Sequence, residues 1–383
     1  LACSTRAAFC CAAKIKEEGS TVPPLLGIAS VKGGFYLHGG TRTRATDGSV
    51  IDLPKKEGIL SIADIKRTAL RVDGNDSASL WDLGGGVLGL EIHTKMNACD
   101  VGVIEAVELA VKLTKQEFGA IVVGNDHSRA FSAGADLSYF VDMMERKNWT
   151  DLEKFVIRGQ RAFMQLKYAE APVVAAAFGL TLGGGCELMM HCDVTLSHSE
   201  LNAGFPELNV GIVPGWGGCT QLILRTGGDA ASIERAFKSV VSTRISSSAA
   251  EAVELGVLRA TDPIIMNRDR LLAQAVQQAR SLIELPYHAP ASKSITLGGA
   301  KARNSLLAAV QPLRQSGALS DNDWAIVSEL ATIFSGGESA EEVTLSEIDL
   351  SVLERTAFMR LASRPATLER MKHMLATGKP LRN

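Results

Sequence analysis

Pro172-Val173-Val174-Ala175-Ala176-Ala177-Phe178-Gly179-Leu180-Thr181-Leu182-Gly183-Gly184-Gly185-Cys186-Glu187-Leu188 is the stretch that decides the fold. Pro172–Ala177 is a short apolar run bounded by turn signals, the pattern of a buried strand. It continues through Phe178-Gly179 into the Gly183–Gly185 turn, and an apolar helix-like segment follows. Upstream, Val87–Ile92 and Ala120–Val123 read as strands. Between them Asp100–Leu113 reads as an amphipathic helix with Ile104, Val107 and Val111 on one face. Helices are expected over Leu137–Glu145, Leu152–Leu166, Gly217–Arg225, Ala249–Leu255 and Arg268–Ile283. Strand, helix and strand with apolar strands predict α/β layering.

The flanks carry weaker signals. Residues 1–75 are punctuated by Pro23-Pro24, Gly33-Gly34 and Gly39-Gly40. Helix-like patches occur near Ala12–Glu18 and Ser61–Arg67, the second with Ser61 and Asp64 at capping-box spacing. This part is expected to be a connector, ahead of a catalytic domain over 76–285. The Pro-containing stretch Leu285–Pro290 then breaks the pattern. Residues 286–383 are expected to form a helical C-terminal region, all-helical from 291. Leu353, Ala357 and Leu361 make one stripe, Leu368, Met371 and Leu375 another, and Gly378 a C-cap.

Bulk properties exclude some classes. The 383 residues exceed one average domain, and 46% hydrophobic content suffices for a core. A formal net charge of −2 gives no support for nucleic-acid or anionic-membrane binding, while leaving room for a local basic pocket. No apolar run reaches the length of a membrane span. The seven cysteines match no zinc or disulfide framework, which favours reduced thiols in a cytoplasm. Leu1-Ala2-Cys3-Ser4 resembles a lipoprotein box without the leader such a box needs. A first residue other than Met suggests a piece of a longer chain.

Four motifs carry chemistry: Phe131-Ser132-Ala133-Gly134-Ala135-Asp136; Leu182-Gly183-Gly184-Gly185-Cys186-Glu187-Leu188; Gly204-Phe205-Pro206-Glu207; and Gly211-Ile212-Val213-Pro214-Gly215 followed by Gly217-Gly218. Glycines let a backbone approach a ligand closely. Where such a turn opens a helix, free N–H groups face outward and can hold a developing oxyanion. Glu187 lies in an apolar setting, where a carboxylate needs a partner or a use. Glu207 follows after Asp193–Leu196, and a strand and return between the two could bring both to one cleft. His191 and Cys192 follow Met189 and Met190 without further ligands, so packing is expected rather than metal binding. Asp126-His127 reads as an exposed turn and Arg268-Asp269-Arg270 as a solvated face.

These four motifs, in this order, resemble the crotonase superfamily, the enoyl-CoA hydratase/isomerase family, over roughly Ser77 to Ile283. The resemblance implies a crotonase-like ββα spiral core. It places the oxyanion-hole N–H groups at Ala135 and Gly184, and the two hydratase glutamates at Glu187, the base on water, and Glu207, the proton donor. It also implies an acyl-CoA substrate, with Lys95, Met96, Ala133, Gly134 and Asp136 along the CoA groove. Hydration itself needs no metal or redox cofactor. Trp216 stands where a small residue is expected, either as a wall of the acyl pocket or as a cap on a helix start, and its glycine neighbours do not force it into the core. Gly34-Phe35-Tyr36, Lys56–Ser61, Met266–Arg270 and His373–Asn383 resemble a subgroup with a 3-hydroxyacyl-CoA dehydrogenase fused ahead. NAD is implied only if that half is present, since no Rossmann turn occurs in this sequence. Activity in fatty-acid β-oxidation and a homo-oligomeric state are further expectations. The alternatives are an isomerase or thioester hydrolase of the same fold, or a CoA-binding module inactive without its dehydrogenase half.

Overall fold

The computed structural model describes residues 5–31, 34–37, 42–45, 47–52 and 57–383. The opening Leu1-Ala2-Cys3-Ser4, as well as Gly33, Gly39, Gly40 and Lys56, lie outside the described residues. The chain divides into two compact units, Leu1–Ala69 and Leu70–Asn383. The first carries helices Thr5–Glu17 and Pro24–Val31 and a small antiparallel sheet of β1 (Tyr36–Leu37), β2 (Arg42–Arg44) and β3 (Val50–Asp52). Its last helix, Ile62–Thr68, starts with the capping box expected of Ser61 and Asp64.

The second unit holds β4 (Leu70–Gly74), β5 (Ala78–Asp82), β6 (Val87–Ile92), β7 (Ala120–Val123), β8 (Ala130–Ser132), β9 (Val173–Ala177), β10 (Leu180–Leu182), β11 (Val194–His198), β12 (Asn202–Gly204) and β13 (Ile264–Ile265). Seven of these form one sheet in the order β13-β11-β9-β7-β6-β5-β4. The β6–β7, β7–β9, β9–β11 and β11–β13 pairs are parallel, and β4–β5–β6 is an antiparallel meander. Every residue of β6, β7 and β9 is buried; β7 and β9 are unbroken apolar runs, as strands covered on both faces should be, and β6 adds one buried carboxylate, Glu91. Helix Val101–Thr114 starts where Asp100 accepts the Val103 N–H at 2.9 Å, and it buries Ile104, Val107 and Val111. Helix Leu271–Ile283 packs on β7 and β9.

A smaller sheet positions the site. Strands β12, β10 and β8 lie side by side and all parallel, pairing Leu182 with Gly204 and Thr181 with Ser132. Three chemistry-bearing motifs therefore leave neighbouring strands at the same, carboxyl, end. Open parallel sheets place their ligand crevice at that end. The strand and return expected between Glu187 and Glu207 are β11, in the large sheet, and β12, in the small one.

Residues 291–383 are not all-helical. β14 (Ser294–Leu297) pairs antiparallel with β15 (Val343–Ser346), and helices Gly299–Gln315 and Asp321–Ser335 lie between them. The expected stripes are also displaced. In helix Glu347–Ala362 the buried face is Leu350, Glu354, Ala357, Phe358 and Leu361, so it includes a carboxylate. In helix Pro365–Thr377 it is Thr367, Arg370 and Met371, while Leu375 is half exposed. Gly378 closes that helix in a left-handed conformation, as expected.

Arg370, 1% exposed, explains the displacement in the second of these helices. Its Nη1 donates to Asp323 Oδ1 at 2.7 Å and to the Leu208 carbonyl at 2.9 Å, and its Nε to Asn383 Oδ1 at 2.8 Å. A guanidinium that is fully hydrogen-bonded can be buried, and removing it strands the partner charge. Arg370→Met should cost about 3–5 kcal/mol in urea unfolding. A loss below about 1 kcal/mol would show that the network carries little of the C-terminal packing.

Candidate active site

The site begins at Gly183, whose φ of +50° and ψ of −124° suit a residue without a side chain. A Cβ there would come within 2.8 Å of Glu207 Oε1. The turn opens helix Gly184–Met190, buried at all seven positions, so Glu187 enters an apolar helix. Glu187 Oε1 accepts the Trp216 N–H at 2.7 Å and the Gly218 N–H at 2.9 Å. No hydrogen bond reaches its Oε2 from the described residues. Burial pushes this carboxyl up to about 7, and the two N–H donors restrain the rise.

Glu207 opens a 3-10 turn after Pro206, beyond the end of β12, and is also buried. Its Oε2 has no hydrogen-bond partner among the described residues. Burial, and then the neighbouring Glu187, raise its pKa well above the ordinary carboxylate range. Two buried carboxyls side by side are thus both raised, but Glu187 has two loop N–H donors that favour its ionised form while Glu207 stands beside the charge of Glu187, which separates the two. That separation is what acid and base roles require.

A cavity of about 250 Å³ joins these groups. Ala133, Gly134, Ala135, Gly184, Glu187, Glu207 and Trp216 all line it, so seven of the ten expected site residues converge. A Cβ on Gly184 would lie 3.2 Å from the Ala135 nitrogen, so the two N–H groups lie close together. Neither donates to a carbonyl or side chain of the described residues. Leu137, Phe140, Val156, Ile212, Phe358 and Met374 supply apolar walls.

Three expected site residues lie elsewhere. Asp136 caps helix Leu137–Glu145, accepting the Ser138 N–H at 2.9 Å. Lys95 is exposed on a 3-10 turn, and Met96 there has a φ of +56° and accepts the Ala133 N–H through its carbonyl. Neither lines the cavity. Trp216 is not free of the core but 3% exposed, packed edge-on to Phe155 and Phe163 at 5.4 and 5.5 Å. A Cβ on Gly159 would strike its Nε1 at 2.3 Å, so the indole needs a glycine beneath it. Its ring forms a wall and its backbone N–H holds Glu187.

His191 packs with Nδ1 2.7 Å from the Glu187 carbonyl, and burial lowers its pKa to about 4. No cluster able to hold a metal occurs among the described residues, and the six described cysteines are unpaired. Arg268 is no solvated residue: it stacks 3.3 Å above the Phe178 ring. Sequence reasoning missed Glu354, a fully buried carboxylate from the C-terminal region whose oxygens accept the Gly217 and Thr220 N–H groups.

The model of the family described as "Enoyl-CoA hydratase/isomerase" matches residues 84–308. The chain belongs to the enoyl-CoA hydratase/isomerase family. It is 32% identical over 379 residues to a "Probable 3-hydroxyacyl-CoA dehydrogenase" of Bacillus subtilis, covering 97% of this chain and 48% of that protein. It is 33% identical over 159 residues to a "Short-chain-enoyl-CoA hydratase" of Clostridium acetobutylicum, covering 41% and 57%. The chain spans about half the length of the curated relatives it matches. A carnitinyl-CoA dehydratase from Mycobacterium thermoresistibile shares the fold, with a TM-score of 0.59 at 15% identity over 79% of this chain and 90% of that one. The crotonase-like α/β fold of this family is therefore that of the second unit.

The raised Glu187 pKa has a consequence for stability. Its buried neutral form is favoured, so its contribution is full below the ordinary value of 4.5 and is lost as pH rises through about 7. Glu187→Gln removes that loss. Calorimetry at pH 6 and pH 8 should show the melting temperature of Glu187→Gln gaining on wild type by a few degrees at the higher pH. A gap that narrows as pH rises would mean Glu187 is not buried neutral.

Proposed function

We propose that the second unit hydrates a trans-2-enoyl-CoA to a 3-hydroxyacyl-CoA. The observation that carries this reading is the pair of buried carboxyls, Glu187 and Glu207, sharing one cavity with the unengaged N–H groups of Ala135 and Gly184. The thioester carbonyl oxygen accepts both N–H groups, which withdraws charge from C3 and holds the enolate oxygen once it forms. Glu187 Oε2 takes a proton from water as the water oxygen bonds to C3. Glu207 delivers its proton to C2 as the enolate collapses. The proton left on Glu187 exchanges with solvent, and Glu207 is recharged. One water is consumed, and neither metal nor redox cofactor takes part.

The assignment of Glu187 as base and Glu207 as acid rests on their surroundings: two backbone N–H groups favour the ionised form of Glu187, while Glu207 Oε2 has no hydrogen-bond partner among the described residues. Ala133 and Gly134 flank the acyl chain, with Trp216 at its side. Lys95 and Met96 lie one hydrogen bond away from that groove, through Ala133, and would meet the CoA portion rather than the acyl group. An isomerase or a thioester hydrolase would also use the oxyanion hole. A second carboxyl kept protonated beside the first favours addition of water, because it supplies the C2 proton without a separate acid.

For the whole protein, we place the reaction in fatty-acid β-oxidation. The product would be a 3-hydroxyacyl-CoA, the substrate class named in the Bacillus subtilis relative. A fused dehydrogenase, its NAD, a homo-oligomeric state and a cytoplasmic location belong to this same proposal. No described helix is long and apolar enough to cross a membrane.

Glu187→Gln and Glu207→Gln should each lower crotonyl-CoA hydration by at least ~100-fold with the circular dichroism spectrum unchanged. Rates within a few-fold of wild type in both folded variants would remove this mechanism.

A further inference from the structure

Glu354 is a fully buried carboxyl beside the cavity that hydration does not use. It reaches the site from helix Glu347–Ala362, far along the chain. Its Oε2 accepts the Gly217 N–H at 2.8 Å, and its Oε1 accepts the Thr220 N–H at 2.5 Å. Glu187 takes the N–H groups between and beside them, Trp216 and Gly218. Four donors within residues 216–220 are thus divided between two carboxyls. The turn cannot move toward either one without stretching the bonds to the other.

The surroundings fix the turn at its flanks. Gly215 offers its carbonyl to Gln160 Nε2 at 2.9 Å, which fixes the chain before Trp216. Gln160 in turn bridges to the Ser351 carbonyl at 2.8 Å on the helix that carries Glu354. His191 lies against the far side, where a Cβ on Gly217 would meet its Nε2 at 3.0 Å. The C-terminal helix therefore braces the same turn whose N–H groups hold Glu187.

We infer that Glu354 is a positioning residue: it holds the Trp216–Thr220 turn so that two N–H groups stay on Glu187 Oε1 while Oε2 is left for chemistry. The inference rests on the hydratase reading only in the use made of Oε2. The geometry of the hold does not depend on it.

A charge role and a positioning role predict opposite signs. A like-charged neighbour raises the pKa of Glu187, so removing it would lower that pKa. Donors to the ionised form lower the pKa, so losing them would raise it. The titratable groups facing Glu354 are Glu187 on helix Gly184–Met190, Glu207 on its 3-10 turn and Cys219 on helix Gly218–Thr226. The thiol stays protonated through burial, and His191 beside the turn stays neutral. Burial raises Glu354 itself to about 8, so at neutral pH an amide replaces a largely neutral carboxyl.

The test is a carboxyl carbon-13 NMR titration of glutamate-labelled wild type, Glu354→Gln and Glu354→Asp, with Glu187→Gln spectra identifying the Glu187 resonance. Glu354→Gln keeps the length of the arm but sets an NH2 group against one of the two N–H donors. Glu354→Asp keeps the carboxyl but shortens the arm and withdraws both bonds. If Glu354→Gln does not fold, Glu354→Asp carries the comparison. The midpoint of Glu187 should rise by about one pH unit in the variants, and kcat for crotonyl-CoA should fall about fivefold at pH 7 and recover as pH rises. A midpoint that falls, or stays where it is, overturns the inference. The titration needs no turnover, so a wild type that fails to hydrate crotonyl-CoA would remove the hydratase reading while leaving the positioning of Glu187 to be decided by its midpoint.

Discussion

Two backbone N–H groups on one oxygen of a buried glutamate hold the site together. Glu187 Oε1 accepts from Trp216 and Gly218, and this bond pair joins the glycine-turn helix to the loop that follows Glu207. It makes an ionised carboxylate tolerable in an apolar helix without neutralising it. It also leaves the second oxygen without a hydrogen bond from the described residues, on a side chain lining a cavity that it shares with Glu207 and a set of apolar residues. A carboxyl paired with a lysine or arginine would be held ionised more firmly and would be a weaker base.

The rest of the second unit can be understood as support for that arrangement. The three parallel strands β8, β10 and β12 bring Ala133–Ala135, Gly183-Gly184 and Glu207 to one edge. The C-terminal helices then grip the loop over residues 208–220 at successive points: Arg370 at the Leu208 carbonyl, Thr367 at the Gly211 carbonyl, and Glu354 at Gly217 and Thr220. Phe358 and Met374 close the cavity from the same side. The C-terminal region is thus part of the site's construction, although the motifs that carry the family resemblance lie before it.

What could be read in the sequence was local. Strand β7 and helix Leu137–Glu145 fall where the apolar pattern placed them, and the glycine turn with its following Glu187 is legible because turn and carboxylate are neighbours in the chain. Glu354 was not legible, because it meets Gly217 across 137 residues and a carboxylate on an amphipathic helix ordinarily belongs to the solvent face. Arg370 was hidden for the same reason. The β14–β15 pair escaped because each strand has four residues, too few for alternation to stand out, and each needs a partner far along the chain. Asp136 is a carboxylate inside a recognised motif whose Oδ1 accepts the Ser138 N–H and caps a helix, a local role that the motif does not announce. Trp216 was placed by its glycine neighbours, whereas its environment is set by Gly159, Phe155 and Phe163 from a different helix.

The central claim is that water adds across the acyl double bond at this cavity, and the fate of labelled water tests it most directly. Wild-type protein incubated with crotonyl-CoA in oxygen-18 water, followed by mass spectrometry, should give an intact 3-hydroxybutyryl-CoA with one heavy oxygen on C3 and no free thiol. Heavy oxygen in a released carboxylic acid together with free CoA, or an acyl-CoA of unchanged mass with a shifted double bond, would contradict the account.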